Sequence, residues 1–272
     1  NYESKNVGIY KEDPSMELFG SIGLLSEINF QKIANNFRHK LKPKMLLRLA
    51  PGSMRKEETG SRLTPTSAFS MNRVSNINNY ETGVSGAFGL EYKIKNNDVT
   101  KFDFSLAQII NDKENKKMAD KSSLNEKLSD LVGSSSYELS ENFKLNYNFS
   151  IDQNYSDLNY NEFGTKYNYG PIDINFDYLQ ENKHVGDQDY FKTELNLNNS
   201  EKGLLSFKTK RNLKTNSSEF YNLSYEYIND CLRAGLVYRR EFYQDSELEP
   251  EDSLMFKITL IPFGSIDSPK FD

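Results

Sequence analysis

Phe143-Lys144-Leu145-Asn146-Tyr147-Asn148-Phe149-Ser150-Ile151 alternates without a fault: each odd position is large and apolar, each even one polar. Successive side chains of an extended chain point to opposite faces. Phe143, Leu145, Tyr147, Phe149 and Ile151 therefore share one face of a sheet, and Lys144, Asn146, Asn148 and Ser150 the other. The same rule sets Ile172, Ile174, Phe176 and Tyr178 against Asp173, Asn175 and Asp177. It holds again for Tyr221, Leu223, Tyr225 and Tyr227, and for Leu254, Phe256, Ile258 and Leu260. Weaker alternation covers residues 41–49, 84–94, 102–106, 191–197, 205–210 and 232–238.

Composition agrees with this segregation. Aromatic residues make up 13% of the 272 residues, with 17 Tyr and 18 Phe, yet the mean hydropathy is −0.73. A chain so aromatic and so polar must sort the two classes by position, and alternation does so. The net charge of −5 leaves no basic footprint and argues against nucleic-acid partners. No apolar run reaches the roughly 18 to 20 residues of a membrane-spanning helix. The chain starts Asn1-Tyr2-Glu3-Ser4, without methionine, basic region or apolar region, and reads as a mature fragment whose export signal is missing.

The pattern gives an all-β fold of roughly thirteen antiparallel strands, many about 9 to 11 residues long, the length a tilted strand needs to cross a bilayer. Soluble strands average about 5 to 6 residues. Short turns at 34–37, 96–99, 140–142, 170–171, 199–203 and 229–230 alternate with longer polar loops at 51–81, 111–128, 181–189, 213–218 and 244–252. Tight turns on one rim and long loops on the other are the habit of bacterial outer-membrane barrels, with the turns in the periplasm. The expected fold is thus a portion of an antiparallel transmembrane β-barrel. An odd strand count cannot close such a barrel, so further strands are expected ahead of Asn1. A soluble sandwich or solenoid also alternates, and stands as the competing fold. In the barrel reading, Lys42, Lys44, Arg48, Lys144, Asp173, Asn175, Asp177, Arg233, Arg239 and Lys257 face a hydrated lumen.

Catalytic and metal chemistry find little support. His39 and His184 are the two histidines; one falls near the turn rim, the other in a loop on the opposite rim, so they cannot share a site. One cysteine and two histidines do not make a metal cluster, and no phosphate-cradling glycine loop is present. The acidic run of Asp245, Glu247, Glu249, Glu251 and Asp252 reads as a solvated loop with some capacity for hard cations. No cofactor and no enzymatic activity are expected. Cys231 follows the turn at 229–230. It is either a small hydrophobe or half of a disulfide whose partner lies outside this chain.

Several stretches resemble the barrel of the LPS-assembly outer-membrane protein family, LptD, also called the organic solvent tolerance protein. His39-Lys40-Leu41-Lys42-Pro43-Lys44 with Leu49-Ala50-Pro51 resembles the family's strand that runs up into a long loop. Phe69-Ser70-Met71-Asn72-Arg73-Val74 and Tyr80-Glu81-Thr82-Gly83-Val84 resemble that loop and its returning strand, and Ser129-Asp130-Leu131-Val132-Gly133 a further loop-to-strand passage. The most specific stretch runs from Tyr225-Glu226-Tyr227-Ile228-Asn229-Asp230-Cys231-Leu232-Arg233-Ala234 through Tyr238-Arg239-Arg240 to Phe256-Lys257-Ile258-Thr259-Leu260, before Phe263-Gly264.

The resemblance implies a plugged barrel of about two dozen strands, of which this chain is the C-terminal portion. It implies transport of lipopolysaccharide (LPS) from a periplasmic bridge protein, LptA, into the outer leaflet, with a lipoprotein, LptE, inside the lumen. A periplasmic jellyroll domain would precede the barrel. Residues 1–264 would be barrel in the outer membrane of a Gram-negative bacterium and 265–272 a periplasmic C-terminal tail. Many relatives have two adjacent cysteines at the turn, where this chain has Asp230 and Cys231, so only Cys231 carries over as half of a disulfide. Two other functions stay open from the residues alone: a porin-like or ligand-gated outer-membrane transporter, and an adhesive β-protein.

Overall fold

The computed structural model of the chain describes residues 19–58, 60, 62–74, 76, 78–97, 99–182, 187–199, 203–229, 231–242, 251–260 and 264–267. Its strands are β1 (Ile22–Glu27), β2 (Phe30–Ala34), β3 (Phe37–Ala50), β4 (Gly83–Asn96), β5 (Val99–Asn111), β6 (Leu131–Ser140), β7 (Phe143–Ile151), β8 (Leu158–Tyr169), β9 (Ile172–Glu181), β10 (Gln188–Asn199), β11 (Gly203–Asn212), β12 (Ser217–Ile228), β13 (Leu232–Glu241), β14 (Glu251–Leu260) and β15 (Gly264–Asp267). The helical content of the described residues is one 3-10 turn, Ser67–Phe69. None of their helices is long and apolar enough to cross a membrane. All strands belong to one 15-stranded sheet, in the order β1, β3 and then β4 to β15, with β2 also paired to β3. The registers of β1–β6 and β10–β15 are antiparallel.

Two features raise the strand count above the sequence reading. β1 and β2 keep one register against β3, with Glu27 opposite Lys44 and Phe30 opposite Leu41. Between them the Ile28 N–H donates to the Pro43 carbonyl at 3.2 Å. Pro43 has no N–H to return, so the ladder opens and one strand becomes two. The second feature is β15, four residues that pair with the end of β14.

The turns are short for identifiable reasons. Asn35 and Asn36 take φ of 50° and 65°, the backbone a two-residue hairpin needs if it is to match the strand twist. Asn229 closes the β12–β13 turn: its side-chain oxygen accepts from the N–H groups of Cys231 at 3.0 Å and Leu232 at 2.7 Å. Asp152 does the same between β7 and β8, accepting from the N–H of Ser156 at 2.8 Å and of Asp157 at 3.1 Å. The Asp157 contact is the larger cause holding that carboxyl below its usual range.

The chain divides into two compact units. The first comprises Asn1–Tyr137, Tyr147–Asn161 and Glu181–Asp187. Across β3, β4 and β5 its registers stack residues of one kind. Leu46, Ala87 and Ile109 fall in one row, Arg48, Ser85 and Asn111 in the next, and both rows are buried. The neighbouring rows on the other face, Leu47–Gly86–Ile110 and Leu49–Val84, carry large side chains that are about half exposed. The buried face is covered by the loops at 51–82 and 112–130, which bring in Met54, Leu63, Ala68, Met118 and Leu124. These loops are not the plain polar excursions their composition suggests. Small residues on the strands make room for them: a Cβ on Gly89 would stand 2.7 Å from the ring of Phe69.

The second unit comprises Glu138–Asn146, Glu162–Gln180 and Gln188–Asp272. Leu197, Leu205, Tyr225, Leu236 and Phe256 form one cross-strand row over β10 to β14, and each is 36–47% exposed. The row of Phe207, Leu223, Tyr238 and Leu254 lies beside it. A continuous apolar face of this extent is rare on a soluble monomer, and it fits hydrocarbon.

At the turn end of the first unit the apolar face becomes aromatic. His39 Nδ1 lies 2.8 Å from Tyr92 Oη, and the rings of Tyr92, Phe102 and Tyr137 follow at centroid separations near 6 Å (6.1 and 6.2 Å). In the second unit Phe143, Tyr167 and Tyr169 form a comparable chain of rings. Such belts mark the level where hydrocarbon gives way to headgroups. His184 lies outside the described residues.

The apolar face is also fitted closely. A Cβ on Gly133 would stand 2.2 Å from the ring of Phe149, so Gly133→Val forces that ring off its seat. We expect the variant to lose about 1–3 kcal/mol of stability, read as a lower urea midpoint for the heat-modifiable band. An unchanged midpoint would show that the ring has room to move.

Candidate functional site

The polar face of the sheet and the loops lying on it hold the main groups of charged side chains, while Arg240 and Asp252 pair at 3.5 Å in the row of Tyr221 on the other face. In the first unit four of them cluster: Lys44 pairs with Glu91 and lies 3.3 Å from Glu27, while Lys42 lies 3.7 Å from Glu27 and 3.8 Å from Glu91. The registers produce this cluster, since Glu27 and Glu91 both flank β3 at neighbouring positions of one face. Lys93 and Asp103 continue it on β4 and β5 at 2.8 Å. These groups are all part-exposed, and ion pairs of that kind contribute about 0–1 kcal/mol each. Their consequence is a hydrated surface of both signs rather than stability.

Arg48 departs from the sequence reading. It points to the polar face, but the loop covers it and leaves it 2% exposed. Its Nε donates to the Met71 carbonyl at 2.7 Å, a second nitrogen donates to the Glu81 carbonyl, and Nη1 lies 3.8 Å from the Glu81 carboxylate. Arg73 grips the same carboxylate with two nitrogens and donates to Ser85 Oγ at 3.0 Å. One buried carboxylate therefore holds two buried guanidinium groups, one from a strand and one from the loop. This clamp fixes the loop to the sheet. Arg48 is structural here, and is screened from any lumen.

Two further contacts pin the loops. Arg62 donates to Glu181 at 2.8 and 3.3 Å, with its guanidinium 3.9 Å over the ring of Tyr160. Asp130, buried before β6, accepts from Ser150 at 2.9 Å and from Asn159 at 2.8 Å. The loops are also joined to one another by the Glu57 N–H, which donates to the Lys117 carbonyl at 2.8 Å.

In the second unit the polar face carries paired charges in most rows. Lys208 lies 2.9 Å from Glu194, Lys210 2.7 Å from Glu219 and Arg233 2.7 Å from Glu226, while Arg239 pairs with Glu241. Lys257 stands opposite Gly235, on the same face as Arg233 and Arg239. Asp173, Asn175 and Asp177 are half-buried along β9, and Lys144 is exposed on β7. Gly164 leaves room for Asp177, whose Oδ1 lies 3.1 Å from where a Cβ would sit. Of the ten residues expected on one polar face, the structure thus joins Lys42 with Lys44 and ranges Arg233, Arg239 and Lys257 together.

Cys231 is an exposed free thiol beside its turn; Asp230 and residues 245–250 lie outside the described residues. No group of His, Cys, Asp and Glu suited to a metal ion occurs among the described residues. Glu27, Arg62, Arg73, Glu81, Glu91, Tyr160 and Glu181 were not read from the sequence as site residues. The available signal was the apolar Met54, Leu63 and Ala68–Phe69 inside loops otherwise polar, which marks a loop that packs.

The sequence profile of one family, described as LptD, LPS transport system D, matches residues 17–213. The stretch around Cys231 lies beyond the matched residues. Comparison with curated proteins gives no match. Among solved structures, a mutant of the Rhodopseudomonas blastica porin is similar at 11% identity, over 91% of this chain and 85% of its own, with a TM-score of 0.44. A triple mutant of the same porin is similar at 10% identity, with the same coverage and TM-score.

The clamp gives a direct test. Glu81→Ala leaves two guanidinium groups buried without their counter-charge, and we expect it to cost about 3–5 kcal/mol, with residues 51–82 becoming open to limited proteolysis. Protease resistance equal to that of the parent would show that the loop is held by apolar packing alone.

Proposed function

Because the chain belongs to the LptD family of LPS transport proteins, we propose that its polar face is the wall along which LPS headgroups move on their way to the outer leaflet. The protein is an outer-membrane β-barrel of LPS transport. The observation that supports the finer reading is the two-sidedness of the sheet. One face is apolar and exposed; the other carries acidic and basic groups in adjacent rows. Phosphorylated sugars meet cations and hydroxyl-binding groups there, while the acyl chains need a way past the apolar side. No covalent step is involved. Transport then needs positioning and a source of work elsewhere.

On this reading Lys42, Lys44, Lys144, Asp173, Asn175, Asp177, Arg233, Arg239 and Lys257 face the lumen. The short turns and the C-terminal end lie in the periplasm, although residues 265–267, expected in a tail, pair with the end of β14 as part of β15; the loops at 51–82 and 112–130 lie toward the outside and fold onto the polar face. LptA would deliver LPS and LptE would fill the lumen as partners. Cys231, exposed at a turn on the periplasmic rim, would form a disulfide with a cysteine outside this chain, since that compartment is oxidising.

Photo-crosslinkers at Asn175 and Arg233 of the full-length protein are expected to capture LPS during transport. Absence of LPS adducts at both positions, together with a large conductance independent of the periplasmic bridge, would favour a passive pore. On a non-reducing gel, Cys231→Ser should shift the mobility of the intact protein. Identical mobility of the variant and the parent would remove the disulfide.

A further inference from the structure

At the loop end of the first unit the apolar face is indented. A groove of about 890 Å3 runs between Leu24, Leu47, Leu49, Val84, Phe88 and Ile110, with the backbone of Gly86 among its lining. Glycine matters at that place: a Cβ there would stand 3.2 Å from the Phe88 ring and 3.6 Å from Leu47, narrowing the groove from within. The six side chains are 44–64% exposed. The groove is continuous with the membrane-facing surface of the sheet, and the ligand its lining fits is an acyl chain.

Its loop end is unlike the rest of that face. Asn111, Asp112 and Lys127 line it. Beyond them lies a second cavity of about 530 Å3 that shares Leu49, Val84, Asn111 and Asp112 with the groove. That cavity is lined by hydroxyl and amide groups, Ser53, Thr82 and Asn115, and by charges of both signs, Lys113, Lys117 and Glu114, with Asp112 at the shared wall. An apolar slot opening into a polar chamber fits an amphiphile with a bulky, hydroxylated and anionic head. A phosphorylated glycolipid places its sugars against Asn115, Thr82 and Ser53, and its phosphate near the lysines, where charge-assisted contacts are strongest.

We propose that this groove and chamber form a lipid-side binding site for LPS already in the membrane, separate from the polar face that LPS passes during transport. The site rests on the reading of the loop end as the LPS-bearing side. It holds a resident molecule against the outside of the barrel by one acyl chain and its headgroup.

The test uses the full-length protein in nanodiscs of phosphatidylethanolamine with a minor fraction of LPS, without any transport machinery. A photo-crosslinker at Ile110 should yield an LPS adduct out of proportion to the LPS present. Gly86→Trp, which fills the groove, should abolish it, and Lys127→Glu should lower it about tenfold, as expected for the loss of one charged contact. Heat-modifiable migration confirms that each variant is folded, and the Lys127 change, in an exposed loop, serves if the tryptophan variant is not. Adducts of phosphatidylethanolamine in proportion to its abundance, or an LPS adduct indifferent to Lys127→Glu, would overturn the site. Either result leaves the Asn175 and Arg233 adducts untouched, so failure here and failure of the transport reading are told apart.

Discussion

Hydrocarbon offers no partner to a backbone N–H or C=O, so a strand that crosses it must be paired along its length. The rest of the structure follows from that constraint. Strands of 9 to 14 residues make up most of the sheet, and their ladders fix the registers of β3 with β4, β4 with β5 and β10 to β14. Fixed registers in turn place every second side chain on the apolar face. An interruption among the first strands traces to a single residue. Pro43 lacks a donor, and the ladder beside it opens between β1 and β2 although the register on either side is unbroken.

Strands and turns were legible because their causes are local. Alternation in residues 143–151 needs no distant partner, and Asn35-Asn36 or Asn229 close their turns with their own backbone and side-chain groups. The loops were not legible, because what holds them is remote in sequence. Arg48 meets Glu81 across 33 positions and Arg62 meets Glu181 across 119. Locally the segment from 51 to 82 is a polar run, and nothing in it announces that one carboxylate will hold two arginines. The assignment of charged residues to one face was legible from the period. Whether a member of that face is wet, as Lys42 and Lys44 are, or sealed, as Arg48 is, depends on where the loop lands.

Loops folded onto a polar face, with an apolar face opposite, suit an amphiphilic cargo. The loops of the first unit carry the apolar cluster of Met54, Leu63 and Met118, and in the second unit β10–β13 carry ion pairs on their polar face. Exposed ion pairs contribute little to stability, so their recurrence along successive rows keeps that face hydrated rather than holding the sheet together. The small residues Gly86, Gly89 and Gly133 shape both faces: one admits a loop aromatic, one seats a neighbouring ring, and one opens the groove.

The central claim is that one face of this sheet meets lipid and the other meets water. Spin labels at Tyr221, Asn222, Leu223, Ser224 and Tyr225 of β12, in the full-length protein reconstituted into bilayers, measure it directly. Collisions with oxygen should dominate at Tyr221, Leu223 and Tyr225, and collisions with a water-soluble nickel chelate at Asn222 and Ser224, giving a period of two. Equal nickel accessibility along all five positions would contradict the account.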